Sequence, residues 1–380
     1  MKNKIESIQI LRGLAALAVV LFHHHFYLVP DGADRSIPDA LFGWGGIGVD
    51  LFFVISGFIM IYVTDGKEPG LKTSVEFVIN RLIRIIPLYY VVLLFAFLTG
   101  GAMSTFHYPD KAENLISALT FQPYLQSTAP MYIESAGMYN IRWTLNYEIY
   151  FYLIFSLCLL IKPRITALAI WFSLPLIVGY YYQGDFSLST KGYEFNSVIT
   201  GFLTNPIILE FGLGVIAGYL YKKINGRIES RTIWIPALVL TLISIGIYGR
   251  YLTKYNLLSG IAFSVLVLTF ALYDKPVTRF FPRCFIALGN MSFSLYLAHN
   301  PVANFISDKV EKRFPDSMHN VLGFIVLVTI SILAGYVIHK YVEIKLTRAL
   351  RRAFKVGRTE SQGGKSMQHD EAAGRVNRLN

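Results

Sequence analysis

Charged residues are scarce in this sequence. Only 16% of its 380 residues are Asp, Glu, Lys or Arg, whereas 54% are hydrophobic. A soluble globular domain carries about a quarter charged residues. The composition therefore excludes an ordinary soluble domain, and the continuous apolar runs predict an all-α polytopic membrane protein that contacts the lipid bilayer.

Cysteine is also rare. The two cysteines, Cys158 and Cys284, lie in or beside apolar segments, and neither has CxxC spacing or the partners of a metal ligand. We therefore expect no metal site, and we expect both side chains to be small apolar residues of the core.

Positive charge, in contrast, is in excess, with a formal net charge of +11. Such a surplus is compatible with nucleic-acid binding. Basic residues also accumulate in the cytoplasmic loops of multispanning proteins, and this explanation fits the apolar composition better. We therefore predict no nucleic-acid partner.

Ten apolar segments have roughly the length that spans the hydrocarbon core of a bilayer. The first leads into three histidines and not into a small-residue cleavage site, so we expect it to remain as a span. The longest loop, about 103–142, holds aromatic residues and prolines and is expected to fold over a site. The predicted segments are 8–28, 45–64, 83–102, 143–161, 165–183, 199–221, 232–249, 256–273, 285–306 and 320–341.

The distribution of Lys and Arg predicts the orientation. If the N-terminus is on the cytoplasmic side, the regions on that side of the membrane hold 26 Lys and Arg residues and the loops on the other side hold 9. Both termini are therefore predicted to be cytoplasmic. We expect residues 1–345 to form the membrane domain and residues 346–380 to form a basic cytoplasmic tail, disordered from about Lys355.

The first apolar segment carries a cation near its start and histidines near its end. Arg12 and His23 are eleven positions apart, which is about 16 Å along a helix axis and close to three full turns. Both side chains therefore project from nearly the same face. Because ionisable groups inside a membrane are costly, we interpret this helix as one that joins a site for an anionic donor to a general base.

Polar residues from four predicted spans are expected at one depth, in or near the outer half of the membrane. A histidine at a helix end can also be an interfacial residue, a carboxylate can serve as a cap or pair with Arg142, and a histidine before Asn-Pro can line a helix break. Buried ionisable groups nevertheless need partners. The candidate catalytic residues are His23, Asp50, Ser56, Glu148, His299 and Asn300.

A second set of polar residues is predicted at the cytoplasmic mouth of the third span. Arg81 and Arg84 occur in the stretch RLIRIIP, three residues apart and on one helix face. With Arg12 at the same depth, three guanidinium groups are available to bind phosphates bidentately. An isolated RxxR is more simply explained as ordinary positive-inside arginines.

Five motifs in order make the chain resemble the acyltransferase-3 family of integral-membrane O-acyltransferases. Thr144 stands where the family usually has Ser, which keeps the hydroxyl. The opening stretch is most similar to the exopolysaccharide and succinoglycan acetyltransferase branch. The matching positions are Arg12 and His23; Gly48, Phe52, Phe53, Ser56 and Gly57; Arg81, Arg84 and Pro87; Trp143, Thr144, Leu145, Glu148, Phe151 and Tyr152; and Ser292, Ser294, Tyr296, Leu297 and His299.

The resemblance implies transfer of an acetyl or other acyl group from cytoplasmic acetyl-CoA to a hydroxyl of a cell-envelope or exported glycan, free or lipid-linked, at the bacterial inner membrane. In this interpretation the arginines hold the CoA phosphates. A sugar hydroxyl is a poor nucleophile at neutral pH, so it needs a base within hydrogen-bonding reach. We predict that His23 is that base.

We expect Asp50 or Glu148 to fix the tautomer of His23. Asn300, Ser56 and His299 are candidate donors to the oxyanion. Both direct transfer and transfer through an acylated His23 remain open. A transporter or flippase for a lipid-linked glycan, or a non-catalytic scaffold of an export complex, are the alternatives from other functional classes.

Overall fold

Helices account for all regular secondary structure among the residues that the structure describes. The structure is a computed structural model, and the described residues are 4–30, 32–135, 139–184, 186–226 and 232–354. The prediction of an all-α fold is confirmed for these residues.

The α-helices differ widely in length, and short turns of other helical types join some of them. The 3₁₀ turns are His25–Leu28, Gly43–Ile47 and Gln126–Thr128, and a π turn spans His339–Glu343. The α-helices of the described chain are α1 (Glu6–His24), α2 (Ser36–Phe42), α3 (Gly48–Thr64), α4 (Leu71–Thr99), α5 (Ala102–Thr105), α6 (Pro109–Thr120), α7 (Arg142–Cys158), α8 (Arg164–Gln183), α9 (Val198–Leu203), α10 (Ile208–Ile224), α11 (Trp234–Tyr248), α12 (Leu257–Leu272), α13 (Asp274–Phe280), α14 (Arg283–Asn290), α15 (Ser292–Glu311), α16 (Val321–Ile338) and α17 (Ile344–Ala353).

Every predicted span overlaps a helix, but not every helix is long and apolar enough to cross a bilayer by itself. Of the described residues, six helical stretches meet that condition, and the pair α12 and α13, bent by 91°, makes up to seven. Helices α7 and α11 have only 17 and 15 residues, and α15 ends in charged residues. The chain is therefore an integral membrane protein, while the count of ten spans stays a prediction.

Close helix contacts depend on glycines. A Cβ on Gly57 of α3 would lie 2.0 Å from the carbonyl oxygen of Phe211 on α10, and one on Gly48 would lie 2.5 Å from that of Ala15 on α1. Only glycine permits such an approach between backbones. The packing of α3 against α1 and α10 therefore requires glycine at positions 48 and 57.

Helix α1 lies at the centre of this packing. It contacts α3 on one side, α14 on another and α15 on a third. Its apolar residues, among them Ile10, Leu11 and Val20, are buried. In contrast, α8, α11 and α16 expose Leu and Ile side chains along their lengths, as expected for helices at the lipid surface.

The long loop between α4 and α7 is folded. It contains α5 and α6, and it is attached to α7 through Arg142, which is entirely buried. The guanidinium of Arg142 donates to the carbonyl oxygens of Tyr139 and Asn114 and to the hydroxyl of Ser117, at 3.2, 3.4 and 3.2 Å. Arg142 therefore pairs with the loop and not with Asp50 or Glu148.

One prediction for the cysteines differs from the structure, and the division into a membrane domain and a tail stays a prediction. Cys158 is buried as expected, but Cys284 is exposed at the start of α14, so its assignment to the core was wrong. Part of the predicted tail, from residue 346 to Ala353, continues as α17. The predicted disordered part from about 355 lies outside the described residues.

Candidate active site

Two cavities lie along α1. The first, of about 70 Å³, is called the arginine cavity; its polar lining is Arg12, Ser56, Arg81, Arg84, Thr144, Glu148, Tyr152, Ser292 and Tyr296. The second, of about 680 Å³, is called the histidine cavity; it is lined by His23, Phe26, Ala96, Thr99, Gly100, Tyr108, Asp110, Lys111, Asn114, Glu134, Ser135, Tyr139, Asn140, Ile141, Asn300, Pro301, Asn304, Phe305 and Asp308.

The arginine cavity brings together the three predicted donor-binding residues. Arg12 comes from α1 and donates to Gln9 at 3.2 Å, while Arg81 and Arg84 come from α4. The guanidinium carbon of Arg81 lies 5.5 and 5.8 Å from the ring centres of Phe77 and Tyr152. Among the described residues, none of the three forms an ion pair within 4.0 Å. Because the lining holds three guanidinium groups and one carboxylate, that of Glu148, the cavity presents a net positive charge to an anion.

Glu148 lies in the arginine cavity, away from the histidine that it was expected to orient. Its carboxylate accepts a hydrogen bond from the hydroxyl of Tyr152, one turn later on α7. The expected pairing with His23 is not formed, because Glu148 lies at the level of Arg12, near the other end of α1. In this position, the negative charge of Glu148 partly balances the guanidinium groups.

Glu343 is a half-buried carboxylate that the sequence interpretation missed. Its Oε2 atom accepts from Ser294 and from His339, both at 2.7 Å. The π turn at His339–Glu343 brings this carboxylate close enough to Arg12 and Arg84 for electrostatic interaction. The available sequence signal was the His-x-x-x-Glu spacing at the end of the last apolar run.

His23 lies at the end of α1 and lines the histidine cavity. Its Nδ1 atom is 3.3 Å from the side-chain nitrogen of Asn300, and its ring centre is 5.1 Å from that of His299. Asn300 is its hydrogen-bond partner among the described residues. The sequence analysis thus correctly predicted that His23, His299 and Asn300 lie close together.

His299 is fully buried and its ring orientation is fixed by its own helix. Its Nδ1 atom is 2.7 Å from the carbonyl oxygen of Tyr296 and 3.2 Å from that of Leu295. Because carbonyl oxygens only accept, Nδ1 carries the proton. In the neutral ring Nε2 is then an acceptor, and it has no partner within the described part of the chain. A neutral His299 is accordingly unsuited to donate to an oxyanion.

Asp50 also lies apart from His23. It is fully buried on α3, its Oδ1 atom accepts from the backbone N–H of Asn256 at 3.1 Å, and its carboxyl group contacts that of Glu210 on α10. Two adjacent buried carboxyl groups are compatible when one keeps its proton and donates to the other. This pair joins α3 to α10, and the expected contact between Asp50 and His23 is not formed.

The two cavities are linked by α15 as well as by α1. Tyr296 lines the arginine cavity and hydrogen-bonds Thr144 of α7 at 2.8 Å. One turn later, Asn300 lines the histidine cavity. Ser56 of α3 belongs to the arginine cavity, so it lies with the predicted donor site and not beside His23.

Lys4, near the N-terminus, adds a further cation close to the arginine cavity. Lys4 precedes α1, and its amino group donates to the side-chain oxygen of Asn290. Partial burial, together with the nearby positive charge of Arg12, lowers the pKa of the Lys4 amino group.

Within the ranges that the structure describes, no group of three or more His, Cys, Asp or Glu residues is suited to hold a metal ion.

Comparison with known proteins gives the same family along nearly the whole chain. The family described as "Acyltransferase domain" matches residues 5–340. The exopolysaccharide production protein ExoZ of Rhizobium meliloti is 28% identical over 260 residues, which are 67% of this chain and 75% of ExoZ. The acyltransferase MdmB of Streptomyces mycarofaciens is 24% identical over 376 residues, covering 92% of this chain and 93% of MdmB.

A longer relative matches over part of its own length. The peptidoglycan O-acetyltransferase OatA of Listeria monocytogenes is 24% identical over 351 residues, which are 84% of this chain but only 53% of OatA. No solved structure matches the chain. Because the family match covers both cavities and every helix that lines them, the chain belongs to the acyltransferase-3 family and is a membrane-embedded O-acyltransferase.

Proposed function

We propose that this protein transfers an acetyl group from cytoplasmic acetyl-CoA to a hydroxyl of a cell-envelope or exported polysaccharide. The observation that carries the proposal is that α1 contributes to both cavities. Arg12 of this helix lines the arginine cavity, and His23, near its other end, lines the histidine cavity. A single rigid helix thereby relates a site for an anionic donor to a site that holds a candidate base.

The donor is assigned to the arginine cavity by charge and size. Its three arginines suit the phosphates of a CoA thioester, since guanidinium groups bind phosphate bidentately. The cavity of about 70 Å³ is too small for a nucleotide, but it can admit the acetyl end of the thioester. The nucleotide therefore lies at the mouth, and the arm that carries the thioester extends toward Thr144 and Tyr296.

The acceptor is assigned to the histidine cavity, where His23 acts as the general base. His23 removes the proton of the sugar hydroxyl as its oxygen attacks the thioester carbonyl, and the bond between carbon and sulfur then breaks. The proton passes to the departing CoA thiolate, so the overall reaction needs no further reactant. Asn300 is positioned to orient the imidazole, and its amide is a candidate donor to the oxyanion.

The proposed orientation places the arginine cavity toward the cytoplasm of a bacterium and the histidine cavity toward the outer face of the inner membrane. It is supported by the excess of Lys and Arg in the predicted inner regions. We propose ten spans with both termini cytoplasmic, within a membrane domain of residues 1–345. The relatives named for exopolysaccharide production and peptidoglycan O-acetylation support a glycan acceptor.

Labelled acetyl-CoA tests the proposal. Purified protein in lipid nanodiscs is incubated with acetyl-CoA labelled in the acetyl group and with candidate glycans, free or lipid-linked. We expect label in an alkali-labile ester on the glycan. A transporter of lipid-linked glycans would instead move its cargo across a vesicle membrane and leave the glycan unlabelled, which would contradict the proposal.

A further inference from the structure

The histidine cavity contains two buried polar groups that have no hydrogen-bond partner among the described residues. One is the hydroxyl of Tyr139 and the other is the amide oxygen Oδ1 of Asn114. The two side chains are only 6% and 2% exposed. Leaving such groups unpaired costs free energy. Both residues belong to the wall of a cavity of about 680 Å³, and this position points to a ligand that supplies the missing hydrogen bonds.

Arg142 holds both residues in place from behind the cavity. Its guanidinium donates to the backbone oxygens of Tyr139 and Asn114, at 3.2 and 3.4 Å. The amide nitrogen of Asn114 in turn donates to the hydroxyl of Tyr124 at 2.9 Å. The amide nitrogen of Asn114 therefore has a partner, whereas its amide oxygen has none among the described residues. A site whose groups are fixed before binding loses little entropy when it is occupied.

The charge of the cavity restricts the ligand further. Three carboxylates line it, those of Asp110, Glu134 and Asp308, against a single lysine. That lysine, Lys111, donates to the hydroxyl of Ser104 at 3.1 Å. A negatively charged lining disfavours an anionic ligand and tolerates a neutral one.

Amide and aromatic side chains complete the lining. Four asparagines can each donate to and accept from hydroxyl groups, and aromatic rings offer flat apolar surfaces. These residues are Asn114, Asn140, Asn300 and Asn304, with Phe26, Tyr108 and Phe305.

We propose that the histidine cavity binds an uncharged, hydroxyl-rich sugar unit through the Tyr139 hydroxyl and the Asn114 amide oxygen, and that its carboxylates exclude acidic sugars. This inference rests on the proposed function, because it names the class of acceptor. Tyr139 and Asn114 determine specificity, and Arg142 is a positioning residue that acts through them.

The first experiment compares two acceptors that differ only at carbon 6. Acetyl transfer is measured to 4-nitrophenyl β-D-glucoside and to 4-nitrophenyl β-D-glucuronide. We expect the neutral sugar to be preferred about tenfold or more, since the electrostatic field of a charged cavity changes association rates by about 10-fold to 1,000-fold.

Tyr139→Phe and Asn114→Leu should raise KM for the glucoside about tenfold and leave KM for acetyl-CoA unchanged. Tyr90→Phe, which removes a hydroxyl bonded to Leu119 outside the cavity, is the matched control.

The second experiment measures the electrostatic potential of the cavity from rates of cysteine modification, so it does not depend on catalysis. The Asn304→Cys variant, in a Cys284→Ser background, is modified with a cationic and an anionic methanethiosulfonate, and the rates are normalised to a small thiol in solution. We expect faster reaction with the cationic reagent. Replacing the three carboxylates together (D110N, E134Q, D308N) should reduce this preference, whereas neutralising three exposed carboxylates elsewhere (D34N, E194Q, D316N) should not.

The outcomes separate the inference from the proposed function. Equal reagent rates in the Asn304→Cys variant, or acetylation of the glucuronide as fast as the glucoside, would overturn the inference while leaving acyl transfer intact. An unchanged acceptor KM in both Tyr139→Phe and Asn114→Leu would overturn the assigned hydrogen bonds. If neither sugar nor any glycan is acetylated, the proposed function fails, and the reagent rates still decide the charge of the cavity.

Discussion

His23 and Asn300 meet at the histidine cavity, with 3.3 Å between Nδ1 of the imidazole and the side-chain nitrogen of the amide. In this orientation the amide donates to Nδ1, and the proton of a neutral ring is on Nε2. A half-turn of the amide brings its oxygen to the same place, where it accepts from a protonated Nδ1. The lone pair of Nε2 is then available as a base, and this is the arrangement that the proposed mechanism requires.

Asn300 should therefore tolerate replacement by an acceptor but not by an apolar residue. We expect Asn300→Asp to retain at least about a tenth of the wild-type kcat, because a carboxylate also accepts from Nδ1, and Asn300→Leu to lose about 100-fold. The measurement is initial-rate acetyl transfer at matched protein levels. Equal activity of the two variants would show that Asn300 does not orient His23.

The arginines should affect the donor more than the acceptor. Arg12→Ala and Arg84→Ala each remove a charge-assisted hydrogen bond to phosphate, worth about 1.5–3 kcal/mol, so we expect KM for acetyl-CoA to rise about tenfold or more. Arg164→Ala is the control, because Arg164 hydrogen-bonds Thr64 and lies outside the arginine cavity. Unchanged donor KM in both Arg12→Ala and Arg84→Ala would remove the phosphate site.

Lys4 should make donor binding sensitive to alkaline pH. Because its pKa is lowered, Lys4 loses its charge at a lower pH than an ordinary lysine, and donor KM should rise as pH increases through that range. Lys4→Arg remains charged and should shift the rise to higher pH, whereas Lys72→Arg, at the exposed start of α4, should not. The check is KM for acetyl-CoA against pH. Identical alkaline profiles for wild type and Lys4→Arg would contradict the assignment.

The contact between α3 and α10 should not tolerate a methyl group. The Cβ of Gly57→Ala would lie 2.0 Å from the backbone oxygen of Phe211, so the helices must separate. We expect a loss of about 1–3 kcal/mol, seen as a lower melting temperature in detergent. Gly43→Ala is the control, because its nearest neighbour would be 3.7 Å away. A Gly57→Ala protein as stable as the control would show that this contact is not tightly packed.

Sequence reasoning predicted the elements of the site better than their pairing. Arg12, Arg81 and Arg84 were grouped correctly, because an RxxR spacing and helix depth are local properties of the chain. The partners of Asp50 and Glu148 were predicted wrongly. Glu148 lies beside Arg12 of α1 and not at the level of His23, so its predicted depth was wrong. Asp50 is directed from α3 toward Glu210 of α10, and depth alone does not specify the rotation of a helix.

Long-range partners were the part that sequence reasoning missed. Glu210 occurs within an apolar run and becomes informative only when α10 packs against Asp50. Glu343 reaches Ser294 because a π turn shifts the register of the last helix, and a register shift of this kind has no clear mark in the sequence. The fold class, in contrast, follows from the apolar runs alone.

The proposed acetyl transfer depends most on the imidazole of His23. The direct measurement is acetyl transfer from labelled acetyl-CoA to a glycan by purified His23→Ala protein, with His25→Ala as control, because His25 pairs with Asp39 and does not line the cavity. We expect His23→Ala to insert and accumulate normally and to lose at least about 100-fold in rate, while His25→Ala remains active. Full activity of His23→Ala would contradict the role of His23 as the base.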